Sequence, residues 1–520
     1  MIRDDLKKII KKSLEREGFK IEDFQILKPR EKKHGDYSLN VAFEVVEKSP
    51  MEVAEVLKKR LEKEKSFERI EIIEPGFINL FLNRKVFEKG VNEILKKREL
   101  YPVLNMGKKK KVQVEFISAN PTGPLTIGNA RGGPFGDTLA NVLKQAGYEV
   151  SRAYYINDYG NQIVALGHSV LKDDEAKYKG EYIDFLHNRV SEKDPYLVGK
   201  WAGKIILEEM IKATVQKLKI NYDEWFSETW LYENKRVDRV LEFLKKEELT
   251  YVSEGAIFFK AKQFGDIRDR VLVKKDGKAT YLLGDIAYHE YKLKDKKFDK
   301  VINVWGSDHA GDVKGLEAGV EALSYKGKLE TILLQFVTIK KDGEKVRMSK
   351  REGTYITMDD LLNDVPVDVI RFFFLEKSFN THLNFDLDLA LDESDKNPVY
   401  YIKYAYARIC SVLENAKIEA SSIKKARHFK FLKEDAEINL LKELLRFEEV
   451  IEDTACDCEV HRLPKYALDL ASYFHKFYSD HKILDEDKRI RQARIELIVA
   501  TKIVLHNLLK IMGISAPSKM

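Results

Sequence analysis

The chain has little cysteine and no long apolar run. Its three cysteines, Cys410, Cys456 and Cys458, are too few and too clustered for a disulfide framework, which agrees with a reducing compartment. Cys456 and Cys458 stand near His461, but the spacing is not that of a zinc knuckle and the segment has a helical pattern, so no metal site is expected. No apolar stretch approaches the roughly 18 residues of a membrane span, and the opening MIRDDLKKIIKK lacks the core and cleavage site of a signal peptide. A cytoplasmic chain without a membrane partner is expected. Charge of one sign is scarce too: 91 Lys and Arg face 85 Asp and Glu, net +6, an excess that permits a nucleic-acid partner without requiring one. Also missing are a Walker lysine and a glycine trio in dinucleotide order, which excludes the two common phosphate loops.

What is present is 520 residues, 44% hydrophobic and 34% charged, enough for about three globular domains at ~150 residues each. The stretch that organises them is residues 112–137, VQVEFISANPTGPLTIGNARGGPFGD. Val112, Val114 and Phe116 alternate with Gln113 and Glu115, which predicts a strand with one buried face. Asn120, Pro121, Thr122, Gly123 and Pro124 stop it. Thr126-Ile127-Gly128-Asn129 then opens a helical pattern through Leu139, Val142 and Leu143, its first turns kept bare by glycines. A strand, a small-residue turn and a helix start make a phosphate site, because unpaired N–H groups and the positive dipole end point at the ligand.

Residues 147–158, GYEVSRAYYIND, predict a second strand parallel to the first after a helical crossover. Residues 170–250 lose strand character and carry apolar residues at helical spacing, as an insertion would. Strands return from Gly255. In TYLLGDIAYH, residues 280–289, Tyr281 and Asp285 share a face if the segment turns helical after Leu283. A carboxylate beside a ring suits a guanidinium, a planar donor fork and a flat cation; a capping Asp285 near a packed tyrosine is the alternative. WGSDHAG, residues 305–311, ends a strand with Asp308 and His309 at its carboxyl edge, as ligand contacts or as a capping acid and a satisfied histidine. RMSKR, residues 347–351, sets two or three cations before Glu352-Gly353-Thr354, and such a loop can close on a triphosphate.

Two outer regions flank this core. Residues 1–105 predict an α/β module from helical spacing in Leu6, Ile9, Ile10 and Leu14 and strands at residues 37–46 and 70–82; its loop KPREKKHGDY gathers Lys28, Arg30, Lys32, Lys33 and His34. From residue 391 to the end the pattern is helical, with Val399, Ile402, Ala405, Ile409 and Val412 on one stripe. Residues 424–433 interleave bases with Phe429 and Phe431, which suits RNA or a solvated connector.

The motifs together resemble class I aminoacyl-tRNA synthetases, and arginyl-tRNA synthetases in particular. LTIGN stands at the HIGH-type signature and RMSKR at the KMSKS signature, with Arg347 and Lys350 for its two lysines; SANPTGPL, GDYSLNVAF, PGFINLFL and the end of the chain resemble arginyl-tRNA synthetases along the whole length. Thr126 and Asn129 replace the two usual histidines, and both are neutral hydrogen-bond donors. The resemblance implies an α/β fold: an N-terminal tRNA-contacting α/β domain (1–105), a Rossmann-like catalytic domain (106–390) with a helical insertion at about 170–260, and a helical DALR-type anticodon-binding domain (391–520). It implies an arginine–tRNA ligase using ATP, with Mg²⁺ arriving on the ATP, and tRNA(Arg) and L-arginine as partners; a monomer is expected. Catalysis falls to Lys350, Arg347, Asn129 and Thr126. ATP is assigned to Ala119, Asn120, Pro121, Thr122, Gly123, Pro124, Leu125, Thr126, Ile127, Gly128 and Asn129, with Asp308, His309, Met348, Ser349 and Lys350. Arginine is assigned to Glu115, Ser118, Asn120, Tyr281 and Asp285. In that family tRNA must bind before arginine is activated. The rivals are a same-class synthetase for another amino acid and a tRNA-binding relative that has lost catalysis.

Overall fold

Five parallel strands make the sheet on which the site is built: β1 (Lys111–Phe116), β2 (Glu149–Ile156), β3 (Glu224–Ser227), β4 (Lys300–Gly306) and β5 (Leu329–Leu334). Their spatial order is β5-β4-β1-β2-β3. The structure, a computed structural model, describes residues 2–21, 24–29, 31–46, 48–345, 357–485 and 487–520. Helix α1 (Gly132–Gln145) carries the chain from β1 to β2, helix α2 (Tyr281–Glu290) precedes β4, and helix α3 (Ala310–Ala322) links β4 to β5. The strand order reverses between β1 and β4, so a crevice opens beyond their carboxyl ends, where ligands of open parallel sheets bind.

β1 is the central strand. Its alternation predicts one buried face, yet Gln113 and Glu115 are as buried as Val112, Val114 and Phe116. A central parallel strand is covered on both sides, so the polar face must find polar partners: Gln113 Nε2 donates to Glu224 Oε2 at 3.1 Å. The predicted parallel partner is β2, with Val114 opposite Arg152. Glycine is required in α1, where a Cβ on Gly136 would come within 2.2 Å of the Phe116 ring.

The segment expected as a helical insertion is largely helical, with Glu181–His187, Pro195–Ile205 and Arg236–Lys246. It also holds β3, a four-residue edge strand of the core sheet, and Thr250–Ser253, which pairs with Ala256–Phe259 and then Arg270–Val273 in a separate antiparallel sheet. Among the strands that return after Gly255, the apolar run at residues 332–339 falls in two strands: β5 in the core sheet, and Val337–Lys341, which pairs with Leu383–Asp386.

The amino-terminal region is an antiparallel sheet of Ile26–Leu27, Tyr37–Leu39, Phe77–Leu82 and Phe67–Ile73, backed by helices Ile2–Arg16 and Pro50–Leu61. Leu6, Ile10 and Leu14 recur every four residues and are buried together, and a Ser49–Glu52 capping box starts the second helix. The strand expected to run on to Val46 ends at Leu39, and a short 3₁₀ turn, Val41–Glu44, follows and buries Val41 and Ala42 together. Carboxy-terminal helices Pro398–Asn415, Asp435–Leu445, Phe447–Asp457, Arg462–Asp480 and Lys488–Ile511 form a bundle. The amino-terminal region rests on it through Arg3–Glu452 and Lys442–Asp36 ion pairs at 2.7 and 2.6 Å and a Tyr37–Glu449 hydrogen bond. The basic stretch at 424–433 is partly docked: Phe429 is buried, Arg84 donates to the carbonyls of Phe429 and Leu432, and His428 meets Glu496, while Lys424, Lys425, Arg427 and Lys430 stay exposed. Arg30 lies outside the described residues. Among those described, no helix is long and apolar enough to cross a membrane, and no group of three or more His, Cys, Asp or Glu could hold a metal ion.

Candidate active site

The corner after β1 is strained and held from outside. Ile117 and Ser118 take φ values of +65° and +41°, left-handed conformations that cost L-residues about 1–2 kcal/mol each. Tyrosine hydroxyls brace it: Tyr222 donates to the Phe116 carbonyl at 2.9 Å, Tyr154 to Ala119 at 2.8 Å and Tyr182 to Thr122 at 3.0 Å. Ser118 Oγ accepts the Tyr155 N–H at 3.0 Å and donates to Glu115 Oε1 at 3.4 Å. Asn120 accepts the Thr122 N–H at 2.7 Å.

Thr126 caps the helix start, accepting the Asn129 N–H at 3.3 Å and donating to Asn129 Oδ1 at 2.6 Å. The two replacements for the family's histidines therefore hold one another across the first helical turn. Gly128 and Asn129 are exposed there, whereas Pro121, Leu125 and Ile127 are buried, so any part these three play in nucleotide binding falls to their backbone. Arg131, 1% exposed, follows this turn and was passed over in the sequence. It donates to the carbonyls of Gln335, Thr381 (3.2 Å) and Ser378 (3.2 Å) and, among the described residues, pairs with no acid; burial holds it down at about 10. Among the described residues, no carboxylate cancels the charge of this cation next to the helix tip. Arg347, Met348, Ser349 and Lys350 lie outside the described residues. Beyond them Thr357 pairs with Thr126, and the Met358 N–H donates to the Leu125 carbonyl at 2.8 Å.

At the end of β4, Asp308 caps neither the turn Ser307–His309 nor α3. His309 is exposed, 3.8 Å from Asp308 and 3.7 Å from Asp312, its ring beside Trp305. Asp308 is therefore not a capping acid, while His309 sits beside two acids and a ring at the carboxyl end of β4, the switch point.

The acidic side of the site lies on α2. Tyr281 opens that helix, 56% exposed, and Asp285 follows one turn later, so Asp285 is not a cap. Burial first, then Glu115, push Asp285 up to about 7, against the pull of Lys292. Facing it is a carboxylate that sequence reasoning missed. Glu228, 3% exposed, begins the helix Glu228–Glu233 directly after β3, and its Oε2 has no hydrogen-bond partner among the described residues. Burial, then Asp285 and Asp158, push Glu228 up to about 8 against the pull of a hydrogen bond with Tyr155. Gly284 keeps the facing wall of α2 low, since a Cβ there would sit 3.6 Å from both Glu228 Oε1 and the Tyr232 hydroxyl. Asp158 is spoken for: it accepts from Ser227 Oγ at 2.6 Å and from the Thr229 N–H at 2.9 Å. The sequence around Glu228, EWFSE at residues 224–228, holds an aromatic pair but no period that would mark the acid.

Glu115 points to the same place but is not free. Lys292 Nζ donates to its Oε2 at 2.5 Å and lies 3.5 Å from Asn303 Oδ1 and 4.0 Å from the Tyr288 ring centre. His289 Nδ1 donates to the Asp285 carbonyl at 2.7 Å, which leaves Nε2 to accept from Asn303 Nδ2 at 3.0 Å. Burial, then Lys292, hold His289 down at about 3, so it is neutral. Glu115 reaches Asp285 by its charge, one layer behind the pocket. The geometry offers an acidic slot at one end of β1 and β4 and, across the strained corner, an N–H-lined helix tip.

Comparison with known proteins covers the chain end to end. The family model for the class I (R) tRNA synthetase catalytic domain matches residues 90–187 and 171–377, the arginyl tRNA synthetase N terminal domain matches 2–82, and the DALR anticodon binding domain matches 402–520. The arginine–tRNA ligase of Bacillus velezensis is 41% identical over 100% of this chain and 99% of its own length, and that of Bacillus subtilis 40% over 100% and 98%. Among solved structures, the arginyl-tRNA synthetase of Thermus thermophilus shares the fold with a TM-score of 0.82 over 100% of both chains at 22% identity.

Proposed function

We propose how the site works from one premise: the chain belongs to the arginyl-tRNA synthetases. It is an arginine–tRNA ligase, and neither rival, another amino acid's synthetase or a catalytically silent relative, finds support in the comparisons. The family uses ATP. In the first step the ionised carboxylate of arginine attacks the α-phosphorus of ATP and pyrophosphate leaves; in the second a ribose hydroxyl of the terminal adenosine of tRNA takes the arginyl group and AMP leaves. The first nucleophile is already charged at neutral pH, so placement and charge stabilisation supply the rate.

ATP lies along the corner and helix tip, at Thr126, Gly128 and Asn129, with Asp308 and His309 at the crevice mouth. Arg347 and Lys350, with Met348 and Ser349, meet its phosphates. Mg²⁺ arrives as part of that substrate. The guanidinium lies between Asp285, Glu228 and Tyr281, with Ser118 and Asn120 near the amino-acid head group. The observation that carries this placement is the unpartnered Glu228 Oε2 facing Asp285 in a buried slot. A fork of donors satisfies two acids at once, whereas an ammonium cannot, which selects arginine over lysine. The partner is tRNA(Arg), bound before activation; three free cysteines fit a reducing, cytoplasmic setting, and the chain acts as a monomer. Charging total tRNA with each of the twenty amino acids tests the whole: arginine alone should be transferred. Glu228→Gln should raise the arginine KM at least about tenfold with the ATP KM little changed, and an unaltered arginine KM would remove Glu228 from the pocket.

A further inference from the structure

Behind the pocket lies a buried cation to which the mechanism gives no part. Lys292 is wholly inaccessible and stands in the wider, π-type turn Tyr291–Asp295 that continues α2. An ammonium taken out of water without partners costs several kcal/mol, so its surroundings had to be built for it. They come from three elements: Glu115 on β1 at 2.5 Å, Asn303 on β4 at 3.5 Å, and the Tyr288 face on α2 at 4.0 Å. Asn303 continues the chain to His289, and His289 to the Asp285 carbonyl. A widened turn at the foot of a helix is a known mark of functional sites; here it sets the lysine under the helix that bears Asp285.

We infer that Lys292 is a positioning residue of the arginine pocket: it pins the Glu115 carboxylate behind Asp285 and locks β1 and β4 to the helix that presents Asp285. The inference rests on the placement of arginine between Asp285 and Glu228. Lys292 cannot touch the substrate, since its ammonium is enclosed by Glu115, Asn303 and Tyr288. Its effect passes through Glu115. Without it Glu115 is a buried carboxylate without a counter-charge, which must take up a proton or turn away, and either change alters the field and the wall behind Asp285. With it the Glu115 charge is cancelled locally, and the slot keeps acids in number for one guanidinium.

The test is a set of variants assayed in tRNA-dependent aminoacylation, with the KM for arginine and for ATP measured separately and folding followed by thermal unfolding. Lys292→Met should raise the arginine KM about fivefold or more while the ATP KM stays within about twofold. Lys292→Arg, which keeps donors toward Glu115 and Asn303, should recover most of the loss. A folded Lys292→Met with a smaller arginine effect, or one that moves both KM values alike, overturns the inference. If Lys292→Met does not fold, the paired variant Glu115→Gln/Lys292→Met decides, because it removes both buried charges: an arginine KM within about threefold of that of Glu115→Gln supports action through Glu115, and a larger difference overturns it. Asp285→Ala keeps the two levels apart. If it leaves the arginine KM unchanged, the pocket itself is misplaced; if it raises that KM and Lys292→Met does not, this inference alone fails.

Discussion

Arginine should bind with release of a proton, and its affinity should rise with pH. Two buried carboxyls line the slot, Asp285 pushed up to about 7 and Glu228 to about 8. The guanidinium carries one positive charge at every accessible pH, so the complex favours an ionised Asp285 and the free protein below pH 7 does not. The sign follows: a carboxyl raised in the free state and lowered by its cationic ligand gives tighter binding as pH increases. The ionised fraction of Asp285 climbs from about a tenth at pH 6 to about nine-tenths at pH 8, which makes the dissociation constant fall roughly tenfold, or about 1.4 kcal/mol. Isothermal titration of arginine into the tRNA-bound protein, in buffers of different ionisation enthalpy, should return about one proton released per arginine at pH 6. Near pH 9.5 the release should vanish. Arginine affinity flat within about twofold from pH 6 to pH 8, with no proton released, would refute the buried acidic slot.

Four other outcomes can be measured, three on the site and one on stability. Asp285→Ala should cost about 2–4 kcal/mol of arginine recognition, read as the ratio of kcat/KM values; a loss below ~0.5 kcal/mol contradicts its role. Lys350→Ala should slow pyrophosphate exchange steeply with little change in arginine binding, and exchange at full rate without tRNA would contradict the inferred order of binding. Asp368 concerns stability: burial, the largest influence, would push it up, but Lys219 at 2.8 Å, Lys403 at 2.5 Å and Ser515 hold it at about 2 against an ordinary 3.8. A lowered acid stabilises the fold above its unfolded value and loses that contribution as pH falls through about 2, so Asp368→Asn should cost about 2 kcal/mol at pH 7 and progressively less below pH 4, as thermal unfolding would show.

The parts of the site legible in the sequence are those encoded locally. β1, its breaker turn and the opening of α1 are contiguous, and each residue's preference agrees with the final shape. Tyr281 and Asp285 were legible as a pair because helical spacing alone puts them on one face. Glu228 was not, since a four-residue strand amid helices leaves no period to detect, and only pairing with β2 turns its side chain toward Asp285. Lys292 was invisible for a similar reason: its partner Glu115 is 177 residues away in the chain, and nothing in YHEYKLKD separates a buried lysine from a solvated one. The alternation in β1 misled in the same way, because polar residues marked a lined interior face rather than a wet one.

The strained corner explains how one strand can serve two substrates of opposite electrostatic need. The carbonyls of Phe116, Ala119 and Thr122 are taken by tyrosine hydroxyls, that of Asn120 by the Thr122 N–H, that of Leu125 by Met358 and that of Thr126 by Ala130. With these acceptors occupied, the turn has fewer carbonyls to present to a ligand, and beside it Arg131 pairs with no acid among the described residues, an environment that favours phosphate. Glu115, five residues before Asn120, belongs to the opposite field, where Asp285 and Glu228 favour a cation. Left-handed Ile117 and Ser118 are the transition between the two. Relaxing them to extended backbone would carry β1 straight on, swing Ser118 away from Glu115 and the Tyr155 N–H, and draw the carbonyls off their tyrosines, so the strain persists because several hydrogen bonds outweigh it.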